Sequence, residues 1–91
     1  IYAVEYRYVT DKDEEMAAVR PSHRAFNGRL ADEGRLLAAG PYVGTHDALI
    51  VVRADDEAGA LALLEEDPFH QAGYINERIP REWNPVIGVL A

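Results

Sequence analysis

Polar and apolar residues alternate from the first position of the chain. Tyr2, Val4, Tyr6 and Tyr8 fall on one side of an extended segment, and Ile1, Ala3, Glu5, Arg7 and Val9 on the other. A two-residue period in a stretch rich in aromatic and β-branched residues predicts a strand over 2–9. The period then gives way to acidic, helix-compatible sequence from Asp13 to Val19, read as a short helical turn. Pro21 suits the first position of a helix, where its missing N–H has no partner to lose. The spacing of Phe26, Leu30 and Leu37 predicts a helix over 21–33 with one buried stripe, stopped at Gly34.

A second strand is predicted over Arg35–Ala39 and closed by Gly40-Pro41. Ala48–Ala54 is the third, through the β-branched run Ile50-Val51-Val52. Asp55 is the expected cap of a second helix. Ala58, not Glu, stands at its third position, so there is no full capping box. Ala58, Leu61, Ala62 and Leu64 supply that helix's apolar side. A fourth strand is expected over Gly73–Ile79, with Pro80 arguing against a central ladder position there. The chain closes with Trp83-Asn84-Pro85 and the apolar run Val86–Leu90.

The resulting order is β-α-β-β-α-β, a split βαβ pair. Right-handed crossovers put the first strand beside the third, so the fold class is α+β: a ferredoxin-like sandwich with an antiparallel sheet in the order 4-1-3-2. Strand directions then bring His23, Gly40-Pro41 and Asp67-Pro68-Phe69 to one rim. Both helices cover the same sheet face. The other carries Ile1, Ala3 and Val9 with Glu5 and Arg7, and strand three offers apolar residues to both sides. A second copy packed sheet against sheet would cover it, so a homodimer is expected, with Val86–Leu90 adding to the contact.

At 91 residues the chain is expected to be a single domain over 1–91, and 48% apolar residues exclude wholesale disorder. No run of about 18 apolar residues exists to span a membrane. There is no basic, apolar leader, although a chain opening at Ile1 can have lost its original start. Absence of cysteine excludes disulfides, thiolate metal sites, iron–sulfur clusters and cysteine nucleophiles, and fits a cytoplasmic protein. The net charge of -7, from 16 acidic against 9 basic residues, argues against a nucleic-acid partner. The arginines are scattered, and the one lysine, Lys12, lies inside the acidic run Asp11–Glu15, which would suit a basic partner if any.

His23 is the leading candidate for chemistry. Histidine titrates near neutrality, and an imidazole at a pocket can take a proton from a phenol, an enol or an activated carbon. In the first turn of a helix, the dipole would favour the neutral ring. Asp67 is the natural partner: a hydrogen bond to one ring nitrogen would fix the tautomer and leave the other toward substrate. The alternative is that His23 packs under the rim and Asp67 caps local backbone. Tyr8 either packs under the helices or places its hydroxyl beside His23, and Phe69 either walls an aromatic substrate or plugs a helix end. Gly40 and Pro41 leave room at the rim, and His70 borders it. Arg7 is a candidate anion-binding group, or else pairs with Glu5 and Glu77 across the sheet.

His23, His46, His70 and Asp67 would suit zinc by type, but no pair has the four-residue helical spacing of a metallohydrolase, so no metal is expected. Gly34, Gly40 and Gly44 match no phosphate-binding loop, so no cofactor is expected either. Ser22 adjoins His23 but points about 100° away on a helix, and makes a poor nucleophile partner.

Arg20-Pro21-Ser22-His23-Arg24-Ala25, Glu33-Gly34-Arg35-Leu36-Leu37-Ala38-Ala39-Gly40-Pro41, Glu66-Asp67-Pro68-Phe69 and Trp83-Asn84-Pro85-Val86 together resemble the YCII-related (YciI-like) family over essentially the whole chain. The resemblance implies a dimeric α+β barrel of the ferredoxin-like type and a His–Asp active site, which fall on His23 and Asp67. It also brings a dehydrochlorinase of a chlorinated hydroxyhydroquinone as a relative, and muconolactone isomerases and cofactor-free monooxygenases as more distant ones. The expected function is a cofactor-free lyase or isomerase acting on a small cyclic or aromatic acid or phenol. The alternatives are a non-catalytic metabolite-binding or accessory module, or a structural or interaction protein.

Overall fold

The computed structural model describes residues 1–91. Its elements are β1 (Tyr2–Tyr8), α1 (Asp13–Asp32), β2 (Leu36–Pro41), β3 (Asp47–Val52), α2 (Glu57–Leu63), α3 (Pro68–Gln71) and β4 (Ile75–Glu82). The strands form one antiparallel sheet in the order β2-β3-β1-β4, the predicted 4-1-3-2 read from the other edge. Tyr2, Val4 and Tyr6 of β1 lie opposite Val52, Ile50 and Ala48 of β3, and these residues form the core with Leu30, Leu36, Ala60 and Leu64. Side chains alternate across a strand, so the intervening Ala3, Glu5, Leu49 and Val51 face the other way.

Several expected boundaries move. The two helical pieces predicted on either side of Arg20 are one 20-residue helix, with Pro21 inside it. An interior proline loses a backbone hydrogen bond and costs about 3 kcal/mol. The helix continues because Met16 and Leu30, one on each side, are both buried, and Pro21 itself is exposed. Asp13, Glu14 and Glu15 in the first turn complement the dipole. The predicted stop holds: Gly34, at φ 76°, donates to the Ala31 carbonyl and Arg35 to the Leu30 carbonyl, a left-handed termination that glycine adopts without strain.

Gly40 and Pro41 do not close β2 but are its last two residues, opposite Leu49 and Ala48. Proline is tolerated there because β2 is an edge strand. The turn comes later, where the Tyr42 carbonyl accepts from Thr45. Asp56, not Asp55, caps α2, accepting from the Gly59 N–H at 2.7 Å. Of the expected apolar side Leu64 is buried and Leu61 partly so, whereas Ala60 takes the remaining buried place and Ala58 and Ala62 are exposed. β4 runs through Pro80 to Glu82, and the proline is accommodated because β4 is the other edge. No helix is long and apolar enough to cross a membrane.

Candidate functional site

His23 lies in the middle of α1, ten residues past its start, and not in a first turn. The helix dipole therefore does not act on the ring, since its effect fades within the terminal turn. Met16, Arg20, His23, Arg24 and Asn27 recur every three or four residues along one side of α1 and line a cavity of about 550 Å³. Opposite them are Ala39, Gly40 and Pro41 of β2, and Ala48 and Ile50 of β3. Tyr8 and Phe69 also line it, and the hairpin residues Thr45 and His46 form one side. A Cβ placed on Gly40 would meet nothing, so that stretch of wall is open.

Asp67 comes from the far end of the sequence and is fully buried. Its Oδ1 lies 2.7 Å from Nδ1 of His23. The same oxygen accepts from the Phe69 N–H at 2.9 Å, capping α3, with Pro68 in the helix's first turn. Partner and cap are thus one atom, and the two expectations for Asp67 are both met in geometry. Its Oδ2 is buried with no hydrogen-bond partner. A carboxylate only accepts, so in a neutral ring facing it Nδ1 carries the proton and Nε2 is the accepting nitrogen. Nε2 lies 3.3 Å from the amide nitrogen of Asn27, one turn along α1 and itself a cavity residue.

Phe69 fixes the plane of the imidazole. The two rings stack at 4.1 Å between centroids and 15° between planes, and Tyr8 meets Phe69 edge-on at 5.5 Å. Phe69 both fills the core and floors the cavity. Burial, reinforced by the charge of Asp67, pushes the Tyr8 hydroxyl well above the ordinary tyrosine range, against an opposing pull from Arg20. Tyr8 therefore keeps its proton and meets a ligand as a donor. Tyr6, next along this aromatic row, is pushed up in the same direction by burial, but its hydroxyl is sealed in the core without a partner.

Two expected site residues lie elsewhere. Arg7 is on the open sheet face, where its guanidinium reaches Glu5 at 3.2 Å and Glu77 at 3.5 Å; alternation along β1 turns it away from Tyr8 and the cavity. His70 is outside the lining and pairs with Glu65 at 3.2 Å, because on the short α3 it points away from Phe69. No three His, Asp or Glu side chains gather as a metal site. Arg20, Arg24 and Asn27 were not anticipated. Their helical register with His23 is visible in the sequence once α1 is drawn through Pro21, and splitting the helix there hides it.

The profile of the YCII-related domain matches residues 1–84. The chain belongs to the YCII-related family. Among solved structures, it is similar to the 5-chloro-2-hydroxyhydroquinone dehydrochlorinase of Burkholderia phenoliruptrix AC1100 in complex with 2,5-dihydroxybenzoquinone. That match has a TM-score of 0.76 at 18% identity, covering 92% of this chain and 94% of the other. At this identity the likeness speaks for the fold. No curated protein matches by sequence.

Proposed function

We propose that this YCII-related protein is a cofactor-free lyase or isomerase that moves a proton on a small cyclic or aromatic acid or phenol, with His23 as general base and Asp67 as its orienting partner. The observation that carries the reading is the 2.7 Å His23–Asp67 hydrogen bond at the wall of the cavity. It holds the proton on Nδ1 and makes Nε2 the accepting nitrogen, where the Asn27 amide donates at 3.3 Å and a substrate proton would take its place. In the lyase form, Nε2 takes a proton from an acidic C–H or O–H. The electron pair left behind forms a double bond, and a leaving group such as chloride departs with its own pair. His23 then returns its proton to water. In the isomerase form the proton goes back to a different carbon. The name of the similar dehydrochlorinase supports the first form by analogy of fold.

We also propose that a second copy covers the open sheet face around Leu49 and Ile79, which are only partly buried, together with the exposed Val86, Ile87 and Val89. Sedimentation should report a dimer, and Leu49→Glu should yield a monomer. A monomer for the unaltered chain would end this part of the reading.

The chemical reading is tested by a mass-resolved turnover screen of hydroxylated and chlorinated ring compounds, run on the intact protein and on His23→Ala. A compound consumed by the intact protein and untouched by the variant is the expected result. Equal turnover by both removes His23 from the mechanism, and saturable binding without product would mark the cavity as that of a metabolite-binding module.

A further inference from the structure

Arg7, Arg35 and Arg78 each find a carboxylate. The other five arginines pair with none, and of these Arg20 and Arg24 alone line the cavity. Helical register makes this a property of the sequence. The residues three and four positions from Arg20 are Met16, Ala17, His23 and Arg24; those around Arg24 are Arg20, Pro21, Asn27 and Gly28. Neither has an acid within helical reach, and each has the other. Like charges four apart destabilise a helix by a few tenths of a kcal/mol. The pattern is conspicuous in a chain of net charge -7 whose α1 carries Asp13, Glu14 and Glu15 in its first turn and Asp32 at its end.

The cavity's own acids do not neutralise the pair. Asp13 is held near His46 at 3.3 Å, and it precedes Arg20 and Arg24 by about 10 and 16 Å of helix rise. Asp47, the second carboxylate in the lining, forms no ion pair with either arginine. His23 lies between the arginines in sequence, and Tyr8, on whose hydroxyl the charge of Arg20 pulls against burial, lines the same cavity. The cavity lining that includes His23 therefore also holds two guanidiniums without an ion-pair partner and a protonated phenol.

We propose that Arg20 and Arg24 form the anion subsite of this cavity, and that the substrate is bound as an anion: a planar ring bearing an ionised oxygen, held by the guanidiniums so that its exchangeable hydrogen meets Nε2 of His23. This rests on the proton-transfer reading above and narrows its substrate class. Guanidinium suits the task because its planar fork donates two parallel hydrogen bonds to a carboxylate, or one charge-assisted bond to a phenolate. Tyr8 adds a neutral donor.

The test is calorimetric titration of the full chain, at neutral pH and low salt, with 2,5-dihydroxybenzoquinone for ring oxyanions and 2,5-dihydroxybenzoate for a carboxylate. Their O-methylated and methyl-ester counterparts serve as uncharged controls. Each arginine should be worth on the order of tenfold in affinity for the anion. Arg20→Gln and Arg24→Gln should therefore each lose about that factor and lessen its salt dependence, while Arg53→Gln, outside the cavity, changes nothing. Neither cavity variant should lower Tm, since each removes a repulsion. Whichever anion binds tells ring oxygen from carboxylate. Binding of anion and uncharged control alike, loss of no affinity in the variants, or failure of both anions to bind at millimolar concentration would each overturn the subsite. The two readings separate on His23→Gln. Arginine-dependent binding with undiminished turnover in that variant leaves the subsite standing and removes the base; lost turnover with arginine-independent binding does the reverse.

Discussion

All three histidines of this chain sit against carboxylates, yet the pairs differ in kind. His46–Asp13 spans 3.3 Å between side chains that are 47% and 75% exposed, and His70–Glu65 spans 3.2 Å on the surface. His23–Asp67 spans 2.7 Å, with side-chain exposures of 13% and 0%. Exposed pairs are screened and hold long side chains in place for little return, with a worth of about 0–1 kcal/mol. The interior pair is fixed on every side: α1 carries the histidine, Phe69 sets the plane of its ring, and the cap of α3 sets the carboxylate. Proximity of histidine and acid is common here, and immobilisation is what sets one pair apart and why the proposed chemistry is placed on it.

The largest expected effect follows from breaking the immobilised pair. Asp67→Ala removes the α3 cap and leaves the Nδ1–H of His23 facing a void, for a loss on the order of 3 kcal/mol in urea denaturation. Asp67→Asn keeps an oxygen for both hydrogen bonds, so it should retain most of that stability. Without the negative charge it should still lose about 10²–10⁴-fold in turnover of any substrate found for the intact protein. A stable Asp67→Asn protein with full turnover would reduce Asp67 to a cap.

The convergence that makes this pair possible was legible in the sequence, because it depends only on element order and handedness. Alternation marked the sheet-facing residues of β1, and β-branching marked β3. Asp67 before Pro68 reads as a backbone cap, but the short α3 that it starts was not anticipated. What was not legible is where a local rule yields to packing. Pro21 signals a helix start by its own chemistry, and only the burial of both Met16 and Leu30 carries α1 across it. That single break misplaced His23 at a helix end and hid the arginines that share its face. Asp55 and Asp56 are adjacent and chemically alike, so composition alone does not choose the cap of α2. Arg7 and Tyr8 are adjacent in sequence, and the pleat puts them on opposite faces.

The aromatic row beside the interior pair offers a smaller effect, read at high pH. Burial pushes the Tyr6 and Tyr8 hydroxyls up. The unfolded chain releases these protons near the ordinary tyrosine value of about 10, while the folded chain keeps them. The unfolded state then binds fewer protons, so stability is intact below that value and falls as pH rises above it. Denaturation midpoints should drop between about pH 9 and pH 11. Tyr6→Phe should flatten that drop and cost little at neutral pH, because it removes a buried hydroxyl that has no partner. An unchanged alkaline slope in Tyr6→Phe would mean that its hydroxyl is reached by water.

The smallest effect belongs to the surface pair and completes the contrast. The hydrogen bond from His70 holds the Glu65 carboxyl below the ordinary glutamate value, helped by a second from Arg78 at 3.1 Å. A depressed carboxyl contributes stability that is present above its unfolded pKa and is lost as pH falls through the folded one. Glu65→Gln should therefore lower Tm slightly at neutral pH, where the charge contributes, and converge with the intact protein at acid pH, so that the acid limb of the stability profile is flatter. It should leave turnover untouched, since neither Glu65 nor His70 lines the cavity. If His70→Gln abolished turnover while His23→Gln did not, the ranking of the histidine pairs by immobilisation would be inverted, and the search for the reacting group would move from the cavity wall to the outer face of α3.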